Sequence, residues 1–204
     1  MILKVHPITP QPRSIGRAAE ILRAGGIIIY PTDTVYGLGC SVEVKSAVER
    51  IHLVKRQRTD RPFSFVCSDL THISEYAHVS NAAFKAMKRL IPGAFTFILP
   101  AARMKQLPGL LVSRRKTVGI RVPDSAIVLE LVKALGCPIL STSVTTSDGE
   151  ILNDPEAIAL QFRDQVDLIL DGGILTSRPS TVLDLTGDEP VVVRQGSGDA
   201  SPVL

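Results

Sequence analysis

Apolar residues recur along the chain in two rhythms, one helical and one extended, and the two alternate. Ile15, Ala18, Ala19 and Leu22 share a helical face, with Ser14 ahead of them as a capping hydroxyl and Gly25-Gly26 behind them as a stop. Ile27-Ile28-Ile29 follows directly. Its uninterrupted β-branched composition is that of a strand buried on both faces, and Pro31 ends it because proline has no N–H to give a sheet ladder. Val44, Ala47, Val48, Ile51 and Val54 predict a second helix over roughly 43–56 that delivers Lys55 at its C-terminal end. Phe63 to Cys67 reads as a strand. Ser80 caps a helix running through Leu90, ended by Pro92-Gly93, and Phe95 to Leu99 is a further strand.

The second half keeps this alternation. Val118 to Val122 is a strand, 125–135 an amphipathic helix and Pro138 to Leu140 a short strand. Asp154-Pro155 is an N-cap followed by proline at the first helical position. Val166 to Leu170, Thr181 to Leu185 and Val191 to Val193 complete the strands. Little helix separates the last of these, so part of the sheet must run antiparallel. The expectation is an α/β fold in which helices pack on one mixed sheet, forming a single domain over residues 1–204.

Between the first strand and the second helix, Thr32, Asp33, Thr34 and Tyr36 leave the sheet as a loop of hydroxyls and one carboxylate, with Gly37 and Gly39 supplying tight curvature. Ligands in α/β proteins gather at such strand ends. Taken alone, the loop is compatible with a polar pocket or with an ordinary turn.

Charge changes this picture more by where it falls than by its sum. The net charge is +3, from 23 basic and 20 acidic residues, too small to argue for nucleic acid. Yet Lys55, Arg56, Arg58 and Arg61 cluster, and Arg114, Arg115 and Lys116 are consecutive, which suggests a local positive cleft for phosphates. Aromatic residues are 4% with no tryptophan, so stacking platforms for single-stranded RNA are scarce. Three cysteines, Cys40, Cys67 and Cys137, lack C-x-x-C spacing and read as buried thiols in a reducing compartment. No apolar run approaches a membrane span and no signal-peptide layout opens the chain, so the expected location is the cytoplasm, away from membranes. Walker A, G-x-G-x-x-G, H-E-x-x-H and G-x-S-x-G patterns are absent, and His6, His52, His72 and His78 do not fall at metal-ligand spacing, so no protein-borne metal site is read.

Six segments then fall in a suggestive order: the Pro31–Gly39 loop; Lys55-Arg56-Gln57-Arg58-Thr59-Asp60-Arg61-Pro62-Phe63-Ser64; Lys116-Thr117-Val118-Gly119-Ile120-Arg121; Leu140-Ser141-Thr142-Ser143; Ser180-Thr181-Val182-Leu183-Asp184; and Val193-Arg194-Gln195-Gly196. In this register the chain resembles the YrdC/TsaC family of threonylcarbamoyl-AMP synthases from about residue 5 to residue 198. Phe63-Ser64, Cys67 and the short C-terminus look most like the YciO branch. The resemblance implies the open, twisted YrdC-type sheet shared with dihydroxybutanone phosphate synthase.

It also implies a reaction. Threonine's amine takes up carbon dioxide from bicarbonate, the carbamate attacks the α-phosphate of ATP, and pyrophosphate leaves. Such chemistry needs no covalent enzyme intermediate. It needs positioned cations, hydroxyls and the Mg2+ that accompanies ATP. By position, Lys55 matches the family lysine that contacts the ATP phosphates; Arg56 and Arg58 flank the position of the next family arginine and either can reach the same phosphate, Arg58 being taken with Lys55 as catalytic. The ATP site is expected at Lys55, Arg58, Thr117, Ser143 and Arg194, and the L-threonine site at Thr34, Arg121, Ser141 and Ser180. Two departures stand out. Gln57 replaces the family arginine two residues after the lysine, and Ser143-Val144-Thr145 replaces Ser-Ala-Asn. Family members pass their adenylate to a separate threonylcarbamoyl transferase complex for tRNA modification, which is therefore the expected partner. The alternatives are a non-catalytic module binding double-stranded RNA or tRNA on the same basic face, and an enzyme of this fold with a different amino-acid or acyl substrate.

Overall fold

A computed structural model describes residues 1–55, 63–71, 73–102, 116–176 and 178–203. In chain order its elements are β1 (Ile2–Lys4), α1 (Pro12–Arg23), β2 (Ile27–Tyr30), β3 (Gly37–Ser41), α2 (Lys45–Lys55), β4 (Ser64–Val66), α3 (Ile73–Tyr76), α4 (Asn81–Leu90), β5 (Phe95–Pro100) and β6 (Thr117–Arg121). After these come α5 (Ala126–Leu135), β7 (Ile139–Ser143), α6 (Pro155–Phe162), β8 (Leu168–Asp171), β9 (Thr181–Asp184), β10 (Val191–Arg194) and a 3-10 turn at Ser201–Val203. All ten strands join one open sheet in the order β1-β8-β2-β3-β7-β4-β6-β5-β9-β10.

The sheet is mixed, as expected. Parallel pairs are β1–β8, β2–β8, β4–β6 and β5–β9. The remaining pairs, including the late β9–β10, run antiparallel. Ile27, Ile28 and Ile29 of β2 are fully buried, and each contributes about 2 kcal/mol of burial. α1 turns Ile15, Ala18, Ala19 and Leu22 inward and packs against α5. Ser80 Oγ accepts from the Ala83 N–H at 3.1 Å and Asp154 Oδ1 from the Glu156 N–H at 2.9 Å, so both capping expectations hold.

Three expectations need correction. The first helix opens at Pro12 after Gln11, and Ser14 lies inside it, because the fixed φ of proline suits the first helical position. Gly37 and Gly39 do not curve a loop. They are strand residues of β3, pairing with Tyr30 and Ile28 on one side and Ser143 and Ser141 on the other. The short strand expected at Pro138–Leu140 is β7, which begins one residue later and continues to Ser143, because its hydroxyl-rich half is held by β3.

Candidate functional site

One face of the sheet carries small and polar side chains in register. Ser64 of β4 pairs with Gly119 of β6 and with Ser141 of β7, and Ser141 pairs in turn with Gly39 of β3. Beyond β6, Gly119 pairs with Ile98 of β5. The residues between them, Phe65, Ile120, Leu140 and Phe97, point the other way into the core, as the period-2 geometry of a strand requires. The small-residue row leaves a concave cavity of about 270 Å3 over the sheet. A side chain at Gly119 would fill part of it, since its Cβ would come within 2.9 Å of Ser64 Oγ.

The cavity wall is built on Arg121, a 9% exposed residue at the end of β6. Its Nη2 donates to Thr34 Oγ1 at 2.6 Å, to Asp33 Oδ1 and, more weakly, to Thr32 Oγ1 at 3.4 Å. Its buried Nε has no hydrogen-bond partner among the described residues. The loop that receives it is braced from within. Thr32 Oγ1 donates to the Val35 carbonyl at 2.7 Å and accepts from the Thr34 N–H at 3.1 Å, closing a side-chain turn. Tyr36 ties the loop's far end to two other segments. Its N–H donates to Asn153 Oδ1 at 3.3 Å, and its hydroxyl donates to the Gly173 carbonyl at 2.8 Å while accepting from the Gly172 N–H at 3.1 Å. Burial, with Asp171 and Asp154 nearby, pushes the Tyr36 phenol up to about 12.

On the opposite wall, Arg194 at the end of β10 donates through Nη2 to the Ser180 carbonyl at 2.9 Å, and the Ser180 and Thr96 hydroxyls are hydrogen-bonded to one another at 2.8 Å. Burial, and then the like charge of Arg121, hold the Arg194 guanidinium below the ordinary arginine range. Arg194 and the Asp33-paired Arg121 thus bring two guanidiniums to one cavity, an arrangement that suits an anionic ligand. Chemically, the arrangement offers the guanidinium of Arg194, that of Arg121 with Asp33 as its counter-charge, and a floor of hydroxyls, and among the described residues no nucleophile is activated by an adjacent base.

Of the residues expected at the site, Thr117, Arg121, Ser141, Ser143, Ser180 and Arg194 line this one cavity. Thr34 is fully buried and acts on it through Arg121. Lys55 closes α2, so the chain leads from it into Phe63 and Ser64 of the cavity. The Lys55 side chain lies outside the described residues, as do Arg58 and the variant position Gln57. Val144 is fully buried, and Thr145 forms an isolated bridge to Ile151.

The sequence placed neither Tyr30 nor Thr96 at the site, and Ser64 was noted only as a mark of the YciO branch. The alternation Phe95-Thr96-Phe97-Ile98 was the available signal for Thr96, whereas Tyr30 hides in an apolar run. The thiols of Cys40, Cys67 and Cys137 are buried, and burial raises the pKa of each. No helix among the described residues is long and apolar enough to cross a membrane.

The chain matches the model of a family described as Sua5_yciO_yrdC, Telomere recombination, over residues 20–196. It is 48% identical to the uncharacterized protein YciO of Escherichia coli (strain K12) over 202 residues, covering 98% of this chain and 97% of that one. The crystal structure of E. coli YciO superposes with a TM-score of 0.92 at 46% identity, covering 100% of this chain and 99% of that chain. The threonylcarbamoyl-AMP synthase of Bacillus subtilis (strain 168) is 33% identical over 184 residues, which is 89% of this chain and 53% of that relative. P. abyssi Sua5, solved in complex with L-threonine, superposes with a TM-score of 0.89 at 30% identity, over 96% of this chain and 57% of that chain.

Proposed function

Since the chain belongs to the Sua5/YciO/YrdC family, we propose that its cavity makes L-threonylcarbamoyl-AMP from L-threonine, bicarbonate and ATP, releasing pyrophosphate. The observation that carries the proposal is the convergence of Arg121, Arg194 and the hydroxyls of Thr117, Ser141, Ser143 and Ser180 on one cavity. Further support comes from relatives at 28–33% identity that are threonylcarbamoyl-AMP synthases, and from a Sua5 structure that holds L-threonine.

In this reading the threonine carboxylate lies against Arg121, which Thr34 holds in place, and Ser141 faces the rest of the amino acid. The threonine amine and bicarbonate condense to a carbamate with loss of water. A carbamate oxygen then attacks the α-phosphorus of ATP, and the bond to the β-phosphate oxygen breaks to release pyrophosphate. The chain's own contribution is positional and electrostatic. It holds two anions that repel one another and neutralises the charge gathering on the phosphates, with Arg194 on one wall and with Lys55 and Arg58 assigned to the phosphates from the motif match. Thr117 and Ser143 belong to the nucleotide side. In this reading magnesium enters with the phosphates of ATP and neutralises part of their charge. The adenylate would then serve a transferase complex acting on tRNA.

The test is product identification. Purified protein is incubated with ATP, L-threonine and isotopically labelled bicarbonate, and the mixture is read by mass spectrometry. Label in an adduct of threonine, carbonyl and AMP is expected. Label in no nucleotide adduct overturns the proposal.

A further inference from the structure

Tyr30 ends β2 with its ring laid across β3. A Cβ at Gly37 would come within 3.1 Å of the Tyr30 Cζ, and one at Gly39 within 2.9 Å of its Cε1. Two side-chain-free positions, alternating on the same strand face, therefore form the bed for this ring. The ring reaches past its own neighbour strand to the next one, and its hydroxyl donates to Ser141 Oγ of β7 at 2.7 Å. Ser141 Oγ in turn donates to the Leu38 carbonyl at 3.4 Å. Tyr30 has no exposed surface, whereas Ser141 lines the cavity.

This chain of bonds constrains what Ser141 can do. A serine hydroxyl has one proton and two lone pairs. Its proton is directed at Leu38 and one lone pair is taken by Tyr30, so a single lone pair remains. We infer that Tyr30 is a positioning residue that holds Ser141 as a hydrogen-bond acceptor in the cavity, tuned to a donor group on the amino-acid substrate. The donor is the hydroxyl or the nitrogen of threonine, so the role rests on the threonine reading given above. Burial keeps the Tyr30 phenol protonated well past the ordinary tyrosine range, so the donor persists at every pH of interest. The ring also fills the space over Gly37 and Gly39. A phenylalanine therefore keeps the packing and removes only the hydroxyl.

The experiment measures Kd for L-threonine and for ATP by calorimetry in wild type, Tyr30→Phe, Ser141→Ala and the double variant. Urea midpoints are taken on the same four proteins. Tyr30→Phe is expected to weaken threonine binding about three- to tenfold, the worth of one neutral hydrogen bond, while ATP binding stays within about twofold. Ser141→Ala, which leaves the ring untouched, is expected to weaken threonine binding at least as much, and adding Tyr30→Phe to it is expected to change little. A merely structural role for Tyr30 predicts additive losses that fall equally on both ligands, and that result overturns the inference. So does unchanged threonine affinity in either single variant, or urea midpoints that show no coupling between positions 30 and 141. Failure of wild type itself to bind threonine overturns the proposed function and the positioning role together, and is distinguished by the wild-type titration alone.

Discussion

Asp33 accepts a hydrogen bond from Arg121 Nη2 with one carboxylate oxygen and from the Asp124 N–H, at 3.2 Å, with the other. A single carboxylate thus joins the loop after β2 to both the cavity arginine and the chain leaving β6. Asp33→Asn keeps an oxygen for one of these donors but leaves Arg121 without its counter-charge. A fully buried pair broken on one side costs about 3–5 kcal/mol. Both side chains here keep 11% of their surface exposed. The expected loss is therefore smaller, on the order of 2 kcal/mol, read as a lower urea midpoint with an unchanged slope. An unaltered midpoint would show that the pair does not hold the loop.

Arg121→Lys tests the amino-acid side of the cavity. Lysine retains the charge but replaces a planar fork by a single ammonium, whose donors radiate from one nitrogen, so it cannot hold Thr34 and Asp33 and also present a parallel pair of N–H groups to a substrate carboxylate. Threonine affinity is expected to fall at least about tenfold, corresponding to a lost charge-assisted bond, with ATP affinity little changed. Calorimetry with each ligand separates the two. Equal threonine affinity in wild type and variant would move the carboxylate elsewhere.

Gly39→Ala probes the bed of the Tyr30 ring. The new Cβ would meet Ile139 Cγ2 at 2.5 Å and Tyr30 Cε1 at 2.9 Å, with the Leu140 carbonyl at 3.2 Å behind them. Ordinary extended backbone accepts alanine, so the penalty is one of packing. Overpacking of this kind costs about 1–3 kcal/mol. A thermal melt should show a clear drop in Tm, and a Tm equal to wild type would mean that the strand shifts to make room at no cost.

Alkaline pH should unfold the protein earlier than carboxylate-based arguments suggest. Burial pushes the Cys40 and Cys67 thiols up to about 12, and Tyr36 to about 12 as well. In the unfolded chain these groups lose protons from about pH 8.5 for cysteine and about pH 10 for tyrosine. Between those values and their folded ones the unfolded state binds fewer protons than the native state. Stability is thus fully present below about pH 8.5 and declines as pH rises, by at most about 1.4 kcal/mol per pH unit for each group. Urea midpoints from pH 7 to pH 10 measure this, and Cys67→Ala should flatten the decline. A midpoint that stays level to about pH 10 would contradict the assignment of these thiols to the sealed interior.

The parts of the fold visible in the sequence are those where local pattern and tertiary burial agree. The isoleucines of β2, the apolar face of α1 and the caps Ser80 and Asp154 are of this kind. β3 is not. Gly37-Leu38-Gly39-Cys40-Ser41 has poor strand propensity, and only the Tyr30 ring and the flanking strands β2 and β7 make glycine the fitting residue there. β1 was equally hard to read, because Ile2-Leu3-Lys4 owes its strand form to pairing with the distant β8. At the site, Arg121, Ser141, Ser180 and Arg194 were legible from motif order, and the structure brings them to one cavity. What links them was not legible. The bonds from Tyr30 to Ser141, from Thr96 to Ser180 and from Asp33 to Arg121 span 84 to 111 positions, and no local pattern carries them.

Pyrophosphate release addresses the central claim most directly. The protein is assayed with ATP, bicarbonate and L-threonine, and each component is omitted in turn. L-Serine and L-valine then replace threonine, and an RNA titration is run at matched salt. The account predicts release that requires all three components and favours threonine. Release independent of any amino acid, or none at all while RNA binds with steep salt dependence, would contradict it.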